Sequence, residues 1–425
     1  MIDLLISKLK ENKAIFAYEI YINEKDGREL FYVLNKLELN RALKTKNITC
    51  SIYVKENDKL GNSSINILVA DDEKSIEEKI NKAILKAKST MNDFYPLTLK
   101  EENIDLINDE KLDLNEMALK VADAIFAADV YEGGYINSTE IFVTAIKNEF
   151  INSYGVHHKT SSLKITVEAI PSWIGEKEEV ELYEMYRSNI LDEKAITKRM
   201  NEVLLNSLNR ANAKTLKEKE LDLKVPVYVE GEMLELLINN FKDEATYRSQ
   251  FYNLSHYKKG ERISDTSFDL TAFGKIEGLC ESLNYDEHGV VLTSQKIIED
   301  GKMLDYYGDI QFGHYLKVEK PSGSLPVCEL IAKDNILTKE EMKKEKHLLV
   351  PYFSSPQLDN SSGYFGGEVR LALYYDGEKY LPLTSLSISG NIYEAIKDVK
   401  FSEDIVTLNS YRGPKYMILN NLDIH

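Results

Sequence analysis

Helical and β periods come in blocks along this chain, and that grouping constrains its fold more than any single motif. Apolar residues recur at helical spacing over residues 2–9, then at β spacing over 14–22 and from residue 30 onward, where Phe31, Val33 and Leu37 are candidate inward residues. A further β pair is predicted at 48–54 and 65–69, joined by the turn Asp58-Lys59-Leu60-Gly61-Asn62-Ser63. Helices are predicted at 75–87, with Ile76, Ile80, Ile84 and Leu85 in phase, and at 112–130, with Asp113 as a cap. From residue 139 the texture turns to long strands at 141–146, 163–170 and 180–186, followed by an amphipathic helix over 191–214. Its core face is Ile196, Met200, Val203, Leu204 and Leu208. Beyond the strand at 225–229 and the helix at 233–241 the chain is β in character, broken by turns at 286–289, 299–301, 321–323 and 375–377. Asp300-Gly301 and Asp376-Gly377 lie between β runs and predict hairpins. No regular βαβ alternation occurs, so the expected class is α+β.

A chain of 425 residues exceeds one ordinary core. The tract 214–224 is short, highly charged and free of glycine, and Pro226 follows it. The expected division is therefore an N-terminal domain of mixed helices and antiparallel strands at 1–218 and a predominantly antiparallel β domain at 219–425. Seventy acidic against 53 basic residues give a formal charge of −17, which opposes binding to phosphate backbones. Neither a signal peptide nor an apolar run of membrane-spanning length is evident, and Cys50, Cys280 and Cys328 are odd in number and far apart. Reduced thiols in a cytoplasmic protein, with no nucleic-acid or membrane partner, are the expectation.

The search for chemistry is largely negative. No dinucleotide fingerprint, Walker-type loop or nucleophile elbow occurs. The run Ser361-Ser362-Gly363-Tyr364-Phe365-Gly366-Gly367 reads as a turn or bulge. Adjacent His157 and His158 would diverge on a strand and read as a surface loop; Asp286-Glu287-His288-Gly289 reads as a polar turn. His256, His314 and His347 have no ligand-type neighbours in sequence. Cys280 and Cys328 sit in apolar, β-like contexts, where burial as a small hydrophobe is the default. The 26 tyrosines would suit a groove in which an extended peptide pairs with a sheet edge, although tyrosines are more often simply half-buried sheet residues.

Several ordered segments together resemble the TldD/PmbA family, described as modulator-of-gyrase or peptide-maturation proteins. In the first half these are Ser51-Ile52-Tyr53-Val54 with Leu60-Gly61-Asn62-Ser63, the helix end Ala83-Ile84-Leu85-Lys86-Ala87, and Asn152-Ser153-Tyr154-Gly155-Val156. In the second half they are Val225-Pro226-Val227-Tyr228-Val229 and Tyr285-Asp286-Glu287-His288-Gly289-Val290, where His288 replaces an acidic residue. Ile298-Glu299-Asp300-Gly301 with Leu304, Pro321-Ser322-Gly323-Ser324 and Leu386-Ser387-Ile388-Ser389-Gly390-Asn391-Ile392 complete the series.

The resemblance implies one of two kinds of chain. The TldD kind is a zinc metalloprotease with a His-Glu-x-x-x-His helix and a cysteine ligand further on; the PmbA or TldE kind lacks these and partners the first. Here the helix after the 225–229 strand, and the Lys242-Asp243-Glu244-Ala245 that follows, contain no histidine, and no cysteine lies near 366–375. The implied function is that of a non-catalytic subunit, without catalytic, cofactor or metal residues of its own. It would join a TldD-like catalytic paralogue, which carries the zinc, in a heterodimer acting on unfolded peptides. The alternative is a stand-alone homodimer that binds peptides without proteolysis. A third possibility is a divergent enzyme assembling distant residues such as His157, His288 and Glu244, which nothing in the sequence brings together.

Overall fold

The computed structural model describes residues 1–101, 103–108, 112–176, 178–215 and 224–425. The chain opens with α1 (Ile2–Glu11), which buries Leu5 and Leu9, one turn apart on one face. Two long strands follow, β1 (Ala17–Val33) and β2 (Lys36–Glu56), paired antiparallel along the whole of β1. After β3 (Lys59–Ile67) comes α2 (Glu73–Ala87), capped by Asp72, whose carboxylate accepts from the Ser75 N–H. Short strands β4 (Met91–Asp93) and β5 (Asp105–Leu106) lead to α3 (Leu114–Phe126), and Asp113 caps it as the sequence predicts. Two more long strands, β6 (Gly134–Asn152) and β7 (His157–Ile174), are followed by β8 (Glu179–Glu181), β9 (Glu184–Ser188) and α4 (Glu193–Ala211).

Among the described residues these strands make one sheet in the order β4-β3-β2-β1-β6-β7-β5, with β8 and β9 also on β7. The sequence breaks β1 in two because Asn23-Glu24-Lys25-Asp26-Gly27-Arg28 has the composition of a turn. In the fold this polar stretch stays extended, because β2 and β6 pair with it on both sides. The predicted turn at 58–63 is shorter than expected, and β3 already begins at Lys59. The 180–186 strand is likewise two short ones, β8 and β9.

The two larger apolar clusters of this half lie on one face of the sheet. Tyr18, Ile20, Ile22 and Leu30 share the same parity along β1, and side chains two apart point the same way. At one end α1 and α2 cover Ile20, Ile48, Cys50 and Ile52 with Leu5, Ile76, Ile80 and Ala83. At the other end α3 and α4 cover Leu30, Ile141, Val143, Ile165 and Val167 with Val121, Ile125, Ile196, Met200 and Leu204. The opposite face carries Glu19, Tyr21, Asn23 and Glu29 and meets the C-terminal half.

That half contains two further sheets. The larger includes Val227–Val229, His347–Phe353, Tyr364–Tyr375, Tyr380–Thr384 and Met417–Leu419. The smaller includes Ser294–Glu299, Phe268–Phe273, Val327–Ala332 and Tyr411–Pro414. Between them runs α5 (Gly231–Glu244), which contributes Met233, Leu234, Leu237, Ile238 and Phe241 to the shared core. The hairpins at 300–301 and 376–377 form as predicted. Antiparallel pairing dominates, and the class is α+β.

The expected boundary at 218/219 falls within 216–223, outside the described residues. On one side of it, Lys214–Thr215 pairs with Leu383 and Thr384 of the C-terminal sheet. The halves also share hydrogen bonds: Asn189 donates to the Leu279 carbonyl and accepts from the Gly278 N–H, each at 2.8 Å.

Gly61 in the Leu60-Gly61-Asn62-Ser63 segment lies where two backbones meet. A Cβ built there would lie 1.9 Å from the carbonyl oxygen of Ala87, so the end of α2 approaches β3 backbone to backbone. Neither partner is a flexible side chain that could yield. Gly61→Ala is expected to destabilise the protein by about 1–3 kcal/mol, the usual cost of overpacking. A lowered urea midpoint would register it, and an unchanged midpoint would refute the close approach.

Candidate functional site

The last turn of α5 opens into a cavity of about 520 Å³, within the range of small-ligand sites. Asn240, Asp243 and Glu244 supply its floor, lying one helical turn or less apart. The short helix α6 (Tyr247–Phe251) and the loop after it bring Ser249, Asn253, Leu254, Ser255 and His256 to one side. Asn360 and Ser361, in the turn before Tyr364–Tyr375, close the other. The Ser361–Gly367 run therefore begins as the turn its composition predicts, and Gly363 takes a positive φ of 74°.

Glu244 organises this wall. It is only 4% exposed. One oxygen accepts from the Tyr393 hydroxyl at 2.6 Å, and the other accepts from the His256 backbone N–H. The His256 ring stacks on Tyr393 with centroids 3.8 Å apart, while its Nδ1 stands 3.9 Å from the carboxylate. Burial, reinforced by the hydrogen bond to Glu244, holds the Tyr393 phenol well above its usual range, so it remains a donor. Gln250 and Ser249 donate to the Glu244 and Asp243 carbonyls, which ties α6 to the helix end. Asn240, 2% exposed, packs its side chain against the Tyr393 phenol.

Zinc sites take at least three protein ligands at about 2.0–2.3 Å. Among the described residues no three His, Cys, Asp or Glu side chains gather as a metal site. At the end of α5 one carboxylate is occupied by a phenol and an amide, and the one imidazole nearby is stacked rather than aimed at it. These residues do not fit the zinc of a metallopeptidase.

The structure places the other candidates apart. His157 and His158 are on β7 rather than in a loop and point to opposite faces, as strand geometry requires. His157 pairs with Glu149 at 2.6 Å. His158 is buried, accepts from the Ile104 N–H at Nδ1 and donates from Nε2 to the Gly289 carbonyl at 3.0 Å; burial keeps its pKa low. His347 is a fully buried histidine stacked on Tyr228. Cys328 is on a strand, whereas Cys280 lies in a turn, half-buried beside Glu281 rather than in a β context. Burial pushes all three thiols up to about 12, leaving them protonated at neutral pH.

His288 joins the halves. Its turn is held by Asp286, whose carboxylate accepts from the backbone N–H groups of His288, Val290 and Ser324. The 286–289 and 321–324 turns, distant in sequence, thus share one carboxylate. From this turn His288 reaches across to Glu19 on β1, with Nδ1 3.3 Å from the carboxylate, and Glu19 also accepts from the Tyr53 hydroxyl at 2.6 Å. His157, His288 and Glu244 each have a different partner, and nothing gathers them into one site.

Residues 224–425 match the PmbA/TldA metallopeptidase C-terminal domain. No curated protein matches the sequence. Among solved structures, a protein described as a modulator of a DNA gyrase from Thermotoga maritima is similar at a TM-score of 0.80 and 17% identity, covering 100% of this chain and 99% of that one. TldE from Thermococcus kodakarensis is similar at 0.77 and 15%, with 100% and 99% covered. A protein described as a modulator of DNA gyrase from Bacteroides thetaiotaomicron is similar at 0.75 and 16%, with 99% and 97% covered. At these identities the structural likeness speaks for the fold.

Burial alone would lower the pKa of His288, but the hydrogen bond to and charge of Glu19, with Asp286 behind, raise it to about 9. An unfolded histidine titrates near 6.5, so the pair's contribution is fully present below that pH and is lost as pH rises through about 9. The urea stability of the native chain relative to His288→Gln should therefore shrink by roughly 2–3 kcal/mol between pH 6 and pH 9.5. A difference that does not change with pH would show that the pair carries no net charge interaction.

Proposed function

The chain belongs to the TldD/PmbA family, which is related to metallopeptidases, and on that premise we propose that it is a zinc-free, PmbA/TldE-like subunit. In this reading it pairs with a TldD-like catalytic paralogue, which supplies the zinc and the general base for cleaving unfolded peptides in the cytoplasm. The observation that carries the proposal is α5. It follows the strand Val227–Val229, where the zinc kind of the family places its two histidines, and it has none. Its terminal carboxylate, Glu244, is instead committed to Tyr393 and to the His256 backbone. A general base must reach the proton it removes, directly or through one water. Glu244 is engaged in holding the wall together.

A second reading has its own support. β3 pairs with β2 only over residues 48–56, so the outer edge of β2 from 36 to 47 is unpaired among the described residues. Such an edge can accept an extended segment as an added strand. This favours the stand-alone, homodimeric peptide-binding protein.

The two readings separate in one experiment. Purified chain is mixed with a paralogue carrying the His-Glu-x-x-x-His helix, and cleavage of an unfolded polypeptide is followed with each chain alone and with both. The first reading expects this chain alone to be inactive and free of stoichiometric zinc, and the mixture to be active as a complex. Metal-dependent cleavage by this chain alone would refute it. Absence of any complex between the two chains would favour the second reading.

A further inference from the structure

The outer edge of β2 has a definite bonding phase. The residues of β1 that bond β6 are even-numbered: the Leu34 N–H donates to the Asn137 carbonyl at 2.7 Å, and the Ser153 N–H donates to the Tyr18 carbonyl at 3.0 Å. Successive residues of a strand aim their backbone groups at opposite sides, so the odd residues of β1 bond β2, with Glu29 opposite Arg41. The even residues of β2 therefore aim their N–H and C=O groups outward. From Ile48 onward β3 takes up that parity, with Ile67 opposite Ile48 and Ile65 opposite Cys50. At Asn40, Ala42, Lys44 and Lys46 no strand takes it up among the described residues. Exposed cations usually blunt such an edge by repelling a second one. Here Lys36, Arg41, Lys44 and Lys46 are each paired within the chain, with Glu38, Glu29, Asp26 and Glu24 respectively. The edge holds no proline, and Leu39 and Leu43, 43% and 40% exposed, project on the face that Phe31 occupies in β1.

We propose that this edge is completed by the same edge of a second copy of the chain, antiparallel across a two-fold axis at Arg41. Hydrogen bonds can be exchanged only between even residues of the two copies, which admits every second register. An axis at Arg41 sets Asn40 opposite Ala42 of the second copy in a hydrogen-bonded pair. It sets Leu39 opposite Leu43 of the second copy, and Leu43 opposite its Leu39, in non-hydrogen-bonded pairs, where side chains approach most closely. Moving the axis to Asn40 or Ala42 opposes leucine to arginine instead. Glu38, at the register shift that ends the regular stretch, falls near Lys44 of the second copy. Arg41 leans back over its own strand pair, bonded to Glu29 and with its guanidinium 5.9 Å from the centre of the Phe31 ring, so the two arginines at the axis are drawn apart. Such a contact uses one patch twice and closes at two copies. The inference rests on the homodimeric reading above and names the segment that occupies the edge.

The test is sedimentation velocity of the intact chain from low to high micromolar concentration, where a dimer whose share rises with concentration is expected. Ala42→Pro removes an N–H that no strand of this chain uses, and proline is tolerated at such an edge position. It is expected to weaken the dimer at least ten-fold while leaving the far-ultraviolet circular dichroism unchanged. In a second measurement Leu39→Cys, Leu43→Cys and the variant carrying both are oxidised with copper phenanthroline, with the native chain and its buried or half-buried thiols as background. The double variant is expected to form a disulfide-linked dimer. Neither single variant should, because its two new thiols stand four residues apart along the paired strands, roughly 13 Å, beyond disulfide reach. A monomer at every concentration would overturn the inference together with the homodimeric reading. A dimer indifferent to Ala42→Pro, or crosslinking equal in the single and double variants, would overturn the inference and leave that reading standing.

Discussion

Strand β1 is hydrogen-bonded to β2 on one side and to β6 on the other over nearly its entire length, and the N-terminal half is arranged around that pairing. Side chains alternate along a strand, so one run of 17 residues sorts the half into two faces. One parity, from Tyr18 to Leu30, receives four helices as two separate clusters. The other parity places Glu19 where His288 of the C-terminal half can reach it. The register also decides the cost of polar residues. Glu19 is buried, and it is tolerated because Tyr53 on the neighbouring strand and His288 from across the interface both approach it.

The C-terminal half poses a similar electrostatic problem and resolves it less fully. Asp286 is buried, yet three backbone N–H groups converge on it and knit two turns together. Glu244 has a phenol and one amide but, among the described residues, no ion pair with lysine or arginine. The contrast is between a carboxylate closed by backbone donors and one held by a phenol and a single amide. Stacking of His256 on Tyr393 keeps that wall ordered without adding a metal ligand.

The helices were the most legible part of the fold. Ile76, Ile80 and Ile84, or Ile196, Met200 and Val203, announce their buried face by spacing alone, and Asp113 announces a start. The long strands were underestimated, because the polar centre of β1 looks like a turn unless the neighbouring strands are known. His158 looked exposed beside Lys159 and several hydroxyl residues, yet its burial is decided by Gly289, which lies 131 positions away. The candidate site was legible only in its helix. Asn240, Asp243 and Glu244 recur at spacings of three and four, but the same helix also carries Glu232, Glu235, Asn239 and Lys242, so the sequence does not set them apart. His256 arrives by a loop and Tyr393 from 149 residues further on, so no local pattern could have joined them.

The close approach at Gly61 sets a limit on how this fold can diversify. Where backbone meets backbone, the spacing is fixed by the peptide itself, and compensating changes in neighbouring side chains have nothing to act on. The seam between β3 and the end of α2 therefore behaves as a rigid joint, while the apolar clusters on either side of it can exchange volume among their members. Variation in descendants of this chain should accordingly accumulate in the helices' packing residues and bypass the joint. The geometry of one missing side chain would then outlast much of the sequence around it.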